Sequence, residues 1–190
     1  MLIASVGALC VFACAAPVFG ANVVVAVWAP VAFVTFWIAA EKRRVRFVDL
    51  LIGSAIVIGS LALMVALDRF SGGGTHIGRA VSDAAAGGLP SMLAARFATS
   101  VRIFTDSPLP AIVLVLTAGL AYLRARPRGR MADVIERYPM FGAAITAALV
   151  GGVVGALVED SGVVVLALVV VYLLGGLVAL MLVPDGGVGP

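Results

Sequence analysis

Polar and apolar positions in this chain separate into long blocks, not into the short alternations of a water-soluble sheet or amphipathic bundle. Residues 1–40 contain no charged side chain. As one helix at 1.5 Å per residue they would reach about 60 Å, twice the hydrocarbon thickness of a bilayer. The run therefore predicts two helices, over 2–18 and 22–40, broken at "APVFGAN", where Pro17 and Gly20 disturb a helix and Asn22 suits a turn. An N-terminal signal peptide would want a charged start, which is lacking. Four more apolar blocks predict helices over 48–67, 109–123, 140–158 and 163–183.

Composition sets the solvent of these helices. The 190 residues are 63% hydrophobic and 12% charged, with a mean hydropathy of +1.18. Soluble domains run nearer about 45–50% apolar and about 25% charged, so there is too little polar surface here to cover a water-soluble globule. The expected fold class is all-α: a polytopic membrane bundle of six spans forming one domain over 1–190, with an external segment at 68–108.

Charge orients the bundle. The net charge is +3, carried by twelve arginines and one lysine. This arginine bias, with abundant Ala, Val and Gly, suggests a bacterial, GC-rich source. The cations lie in the connections, which is a membrane-topology pattern and not a nucleic-acid footprint. "EKRRVRF" holds Lys42, Arg43, Arg44 and Arg46, and "RARPRGRMADVIER" holds Arg124, Arg126, Arg128, Arg130 and Arg137. These short basic loops are expected in the cytoplasm. Both termini are then cytoplasmic in the plasma membrane, and 68–108 and the "EDSG" turn lie outside.

Within the external segment, "LPSMLAARFATSVRIF" predicts an amphipathic helix over 89–104, with Leu93, Phe97, Val101 and Phe104 on one stripe and Ser91 as its cap. It would lie at the outer headgroups or on the ends of the bundle. Upstream, Gly72, Gly73, Gly74 and Thr75 precede a short helix expected to run through Ala86, with His76 and Arg79 on one face. Consecutive glycine amides beside a helix start are a candidate anion site, although a linker is the simpler reading. His76 is the lone histidine, too few ligands for a metal site. No cofactor fingerprint or nucleophile motif occurs. Cys10 and Cys14 stand at i, i+4 in one apolar block, which excludes a disulfide framework. They read as small residues buried in a helix, since "VFAC" fits a lipidation signal poorly.

Ala143, Ala147, Gly151 and Gly155 recur every four residues and end at Glu159. Small residues at this spacing form a groove for close helix approach, and the next helix, with Gly175, Gly176 and Ala179, is the expected partner. Glu159, Asp160 and Ser161 then form the hairpin turn. With His76 and Arg79 they make a candidate polar cluster, either clamping 68–108 onto the hairpin or binding a proton or cation.

"GGTHIGR" after a spanning helix, followed later by "EDSGVVV" between the last two, resembles the membrane portion of multi-pass actinobacterial proteins with "THxGR" and "NDSG" stretches. Thr75, His76, Gly78 and Arg79 match the first, and Asp160, Ser161 and Gly162 the second, with Glu159 in place of Asn. Some of those proteins carry an alkaline-phosphatase-like domain, for which this chain has no soluble stretch long enough. The function expected is a non-catalytic membrane module that packs with itself or with an envelope partner. The alternative is a small ion or lipid transporter with Glu159 titrating. An intramembrane enzyme acting on a lipid phosphate near 72–79 comes third.

Overall fold

The computed structural model describes residues 2–15, 24–70, 84–159 and 162–183. Eight α-helices and no strand occur among them: α1 (Leu2–Ala15), α2 (Val25–Ala40), α3 (Phe47–Phe70), α4 (Leu89–Asp106), α5 (Leu109–Ala125), α6 (Arg130–Arg137), α7 (Pro139–Val158) and α8 (Gly162–Met181). Each of the six predicted apolar helices is present at its expected place.

By length and composition the described helices support three or four spans, fewer than the six expected. Three helices, α3, α7 and α8, are long and apolar enough to cross a bilayer by themselves. A fourth crossing arises if α5 and α6, bent by 66°, are taken as one broken span. Helices α1 and α2 have 14 and 16 residues. At 1.5 Å per residue α2 covers about 24 Å, short of a hydrocarbon core of about 30 Å.

Helices α2 and α7 form the centre of the bundle. Helices α1 and α3 flank α2, while α5, α6 and α8 gather on α7. Two apolar clusters lie on either side of this seam. One joins Val11, Ala15, Ala26, Ala29 and Met64 of α1, α2 and α3. The other joins Leu120, Val134, Ile145, Leu149, Val170 and Leu173 of α5, α6, α7 and α8.

The outer surface is apolar as well. Helix α3 buries only Asp49, Met64 and Asp68, and Ile58 on it is 67% exposed. Val115 of α5 and Val171 of α8 are similarly bare. Contiguous apolar surface on this scale does not suit water, whereas hydrocarbon accepts it without cost. Cys10 and Cys14 are part of this surface: both are exposed on α1, contrary to the expectation of burial.

Direction follows from pairing along the seam. Trp28 meets Gly155 and Ala32 meets Gly151, so α2 and α7 are antiparallel. Ala40 and Pro139 therefore lie at one end of the bundle. Arg124 belongs to the same end, since its Nε–H donates to the Gly142 carbonyl at 2.8 Å. The two arginine-dense connections thus emerge together. The start of α5, the far end of α3 and Glu159 lie at the opposite end.

Candidate functional site

Glu159 follows the last turn of α7. Its backbone is extended (φ −82°, ψ 145°), and its N–H donates to the Gly155 carbonyl at 2.8 Å, closing the helix. The half-buried side chain turns to α2, where the Trp28 Nε1–H donates to Oε1 at 3.2 Å. An indole on an apolar helix needs a partner for its N–H, and the Glu159 carboxyl oxygen provides it. Trp28 is the partner of Glu159 that motif reading missed. An amphipathic side chain inside an uncharged block was the available signal.

The groove of Ala143, Ala147, Gly151 and Gly155 exists, and all four are buried. Its main partner, however, is α2 and not the following helix. A Cβ built on Gly151 would stand 2.7 Å from the Ala32 Cβ, a separation that only glycine permits. A Cβ on Gly155 would face Trp28 and Val165 together. The next helix meets the neighbouring Gly152, through Leu166 and Val169. Gly176, expected in the groove, faces Phe141 instead, and Gly175 has open space beside it.

Beside this contact lies an apolar cavity of about 520 Å³ between α1, α2, α7 and α8, bounded by Trp28, Phe33, Phe36, Ala147, Gly152 and Val169. Trp28 thus links the wall of the cavity to the carboxylate of Glu159.

Of the candidate polar cluster, only Glu159 is described. His76, Arg79, Asp160 and Ser161 lie outside the described residues, as do the candidate anion-binding residues Gly72, Gly73, Gly74 and Thr75. The short helix expected up to Ala86 is described only from residue 84, as one wide turn in which Gly87 is left-handed (φ 84°). Helix α4 is confirmed over Leu89–Asp106, with Pro90 in its first turn. Ser91 does not cap it. Gly88 precedes the helix, and the Ser91 hydroxyl donates back to the Gly88 carbonyl at 2.8 Å. Thr99 and Arg102 are exposed, and the principal contacts of α4 are with α5 and the turn before it.

At the opposite end, the "EKRR" loop is fixed by charge. Arg43 binds Asp49 in a fork, Nη1 to Oδ2 at 2.6 Å and Nη2 to Oδ1 at 2.9 Å. Its Nε–H donates to Glu41 at 2.7 Å, and the guanidinium stands 5.0 Å over the Trp37 ring. The hydrogen bonds to Asp49 and then Glu41 raise the Arg43 pKa above its ordinary value. Asp49 also accepts the Arg46 N–H at 2.8 Å, which satisfies one free donor at the start of α3.

Helix α6 was hidden in the second basic loop. Its Met131 and Val134 are buried, and Ile135 packs beneath Gly142 of α7. Among the described residues no group of three or more His, Cys, Asp or Glu is placed to hold a metal ion. Comparison with protein-family models, curated proteins and solved structures gives no match to this chain.

Proposed function

We propose that the chain is a non-catalytic, multi-pass module of a bacterial plasma membrane. In this reading all six apolar helices cross, both termini are cytoplasmic, and segment 68–108 docks a second copy of the chain or an envelope partner. The observation that carries it is α4: an 18-residue amphipathic helix set beside the bundle at the end away from the arginine-dense loops. Such a helix is an expensive feature unless lipid or protein covers its apolar stripe. The short α1 and α2 are accommodated by local thinning of the bilayer. Mild detergent extraction followed by copurification tests the reading. A partner or second copy is retained by the native chain and lost when Val101, on the apolar stripe, is changed to Asp. Retention by that variant contradicts it.

The Glu159–Trp28 contact beside a 520 Å³ cavity favours a second reading, a small transporter of an ion or lipid. Glu159→Gln in liposomes separates the two. A transporter loses flux while staying folded, and a docking module has no flux to lose.

A further inference from the structure

A second cavity, of about 610 Å³, lies between α1, α2 and α3. Val11, Pro30, Phe33, Trp37, Ile56 and Met64 are in its wall, and Ser60 adds a hydroxyl. It begins at Trp37, within one turn of the end of α2, and runs inward. Its stretch of α3, from Ile56 to Met64, spans about 12 Å at about 1.5 Å per residue. Half of a hydrocarbon core of about 30 Å is about 15 Å, so the cavity matches the acyl layer of one leaflet. Next to Trp37 sits the 41–46 loop, with the Arg43 guanidinium 5.0 Å over the indole ring. Lys42 follows α2 in left-handed backbone (φ 52°), and the fork from Arg43 to Asp49 pins the loop in place. Arg43 also binds Glu41, so both acids between 40 and 50 are held by one arginine. Lys42, Arg44 and Arg46 are exposed, and none has an ion pair among the described residues.

We infer that this cavity and the loop beside it together bind one anionic glycerophospholipid, with an acyl chain between α1, α2 and α3 and the phosphodiester on Lys42, Arg44 and Arg46. Aliphatic and aromatic walls of one leaflet's depth suit a hydrocarbon chain. The loop adds three cations beside the entrance, and basic clusters next to a spanning helix attract acidic headgroups. Arginine matches phosphate oxygens in a fork, and tryptophan is at home at headgroup level. A free phosphate would use only the loop, and a neutral lipid only the cavity. The site depends on the membrane setting and not on the docking role proposed for 68–108.

The test uses the purified full chain, titrated with phosphatidylglycerol or phosphatidylcholine of the same acyl chains, with bound lipids counted by native mass spectrometry. Phosphatidylglycerol is expected to bind in preference. The double variant Arg44→Gln/Arg46→Gln should bind it roughly 30-fold more weakly, the surface attraction of two arginines, with phosphatidylcholine unchanged. Arg126→Gln/Arg128→Gln removes the same charge from the other basic loop and should bind both lipids as the native chain does. Ser60→Phe, which fills the cavity, should weaken both lipids. Excess glycerol phosphate should not displace the lipid. Equal binding of both lipids, full affinity in the Arg44/Arg46 variant, the same loss in the Arg126/Arg128 variant, unchanged binding by a folded Ser60→Phe chain, or displacement by glycerol phosphate would each overturn the assignment. A second measurement needs no variant. At one lipid per chain, phosphatidylglycerol with a photoreactive group on its acyl chain should label 7–11, 30–37 or 56–64 of the native protein. Labelling confined to other segments overturns it too.

Discussion

Trp28 and Glu159, 131 positions apart, are joined by an Nε1–H···Oε1 hydrogen bond of 3.2 Å that ties the start of α2 to the end of α7. The bond closes the central seam at the end opposite the basic loops. Trp28→Phe keeps the ring against Gly155 and the cavity but removes the donor, and should lower stability by about 1–2 kcal/mol. Glu159→Gln keeps an acceptor and should cost less. Thermal unfolding of both single variants and the double variant in one detergent checks this, with a double variant less destabilised than the sum of the two singles.

Gly151 sets how closely the seam packs. Its Cα approaches Ala32, and a Cβ there would be 2.7 Å from the alanine methyl. Gly151→Val should therefore separate α2 from α7 and cost about 1–3 kcal/mol, the usual range for overpacking. The same substitution at Gly175, which has nothing within 4 Å, should be close to neutral. Unfolding midpoints of the pair check the contrast.

Gly162 opens α8 after the hairpin turn, and a Cβ there would collide with the backbone carbonyl of Ala156. Backbone cannot rotate away as a side-chain tip can. Gly162→Ala should consequently reduce the folded yield and lower the unfolding midpoint more than Gly152→Ala, whose new methyl meets the movable side chains of Leu166 and Val169. Size-exclusion profiles after extraction provide the reading.

The Arg43–Asp49 fork should hold the 41–46 loop against α3. Arg43→Lys keeps the charge but not the two parallel donors, so hydrogen exchange at Arg46 and the first turn of α3 should quicken. Asp49→Asn should quicken it further, because the Arg46 N–H then loses a charged acceptor. Exchange mass spectrometry of the native chain and the two variants gives the order.

The helices were legible because their segments are long and nearly pure in apolar composition. The blocks expected at 140–158 and 163–183 match Pro139–Val158 and Gly162–Met181 within two residues. Partner choice was harder to read. The small-residue stripe of α7 was matched to its sequence neighbour, since a hairpin is the nearest solution. Yet Ala26, Ala29 and Ala32 make an equally small face on α2, and a distant helix competes on equal terms once all helices share one solvent. Helix α6 was masked by its arginines, although Met131, Val134 and Ile135 stand at i, i+3, i+4. Ser91 was misassigned as a cap because Pro90 can begin a helix as well as precede one.

The central claim is that the arginine-dense end faces the cytoplasm and α4 faces outward. The most direct measurement is thiol labelling of whole cells, with Cys10 and Cys14 first changed to Ser and single cysteines placed at Arg44, Arg126 or Thr99. A membrane-impermeant maleimide should label Thr99→Cys in intact cells, and Arg44→Cys and Arg126→Cys only after permeabilisation. Labelling of Arg126→Cys in intact cells, or of all three alike, would contradict the account.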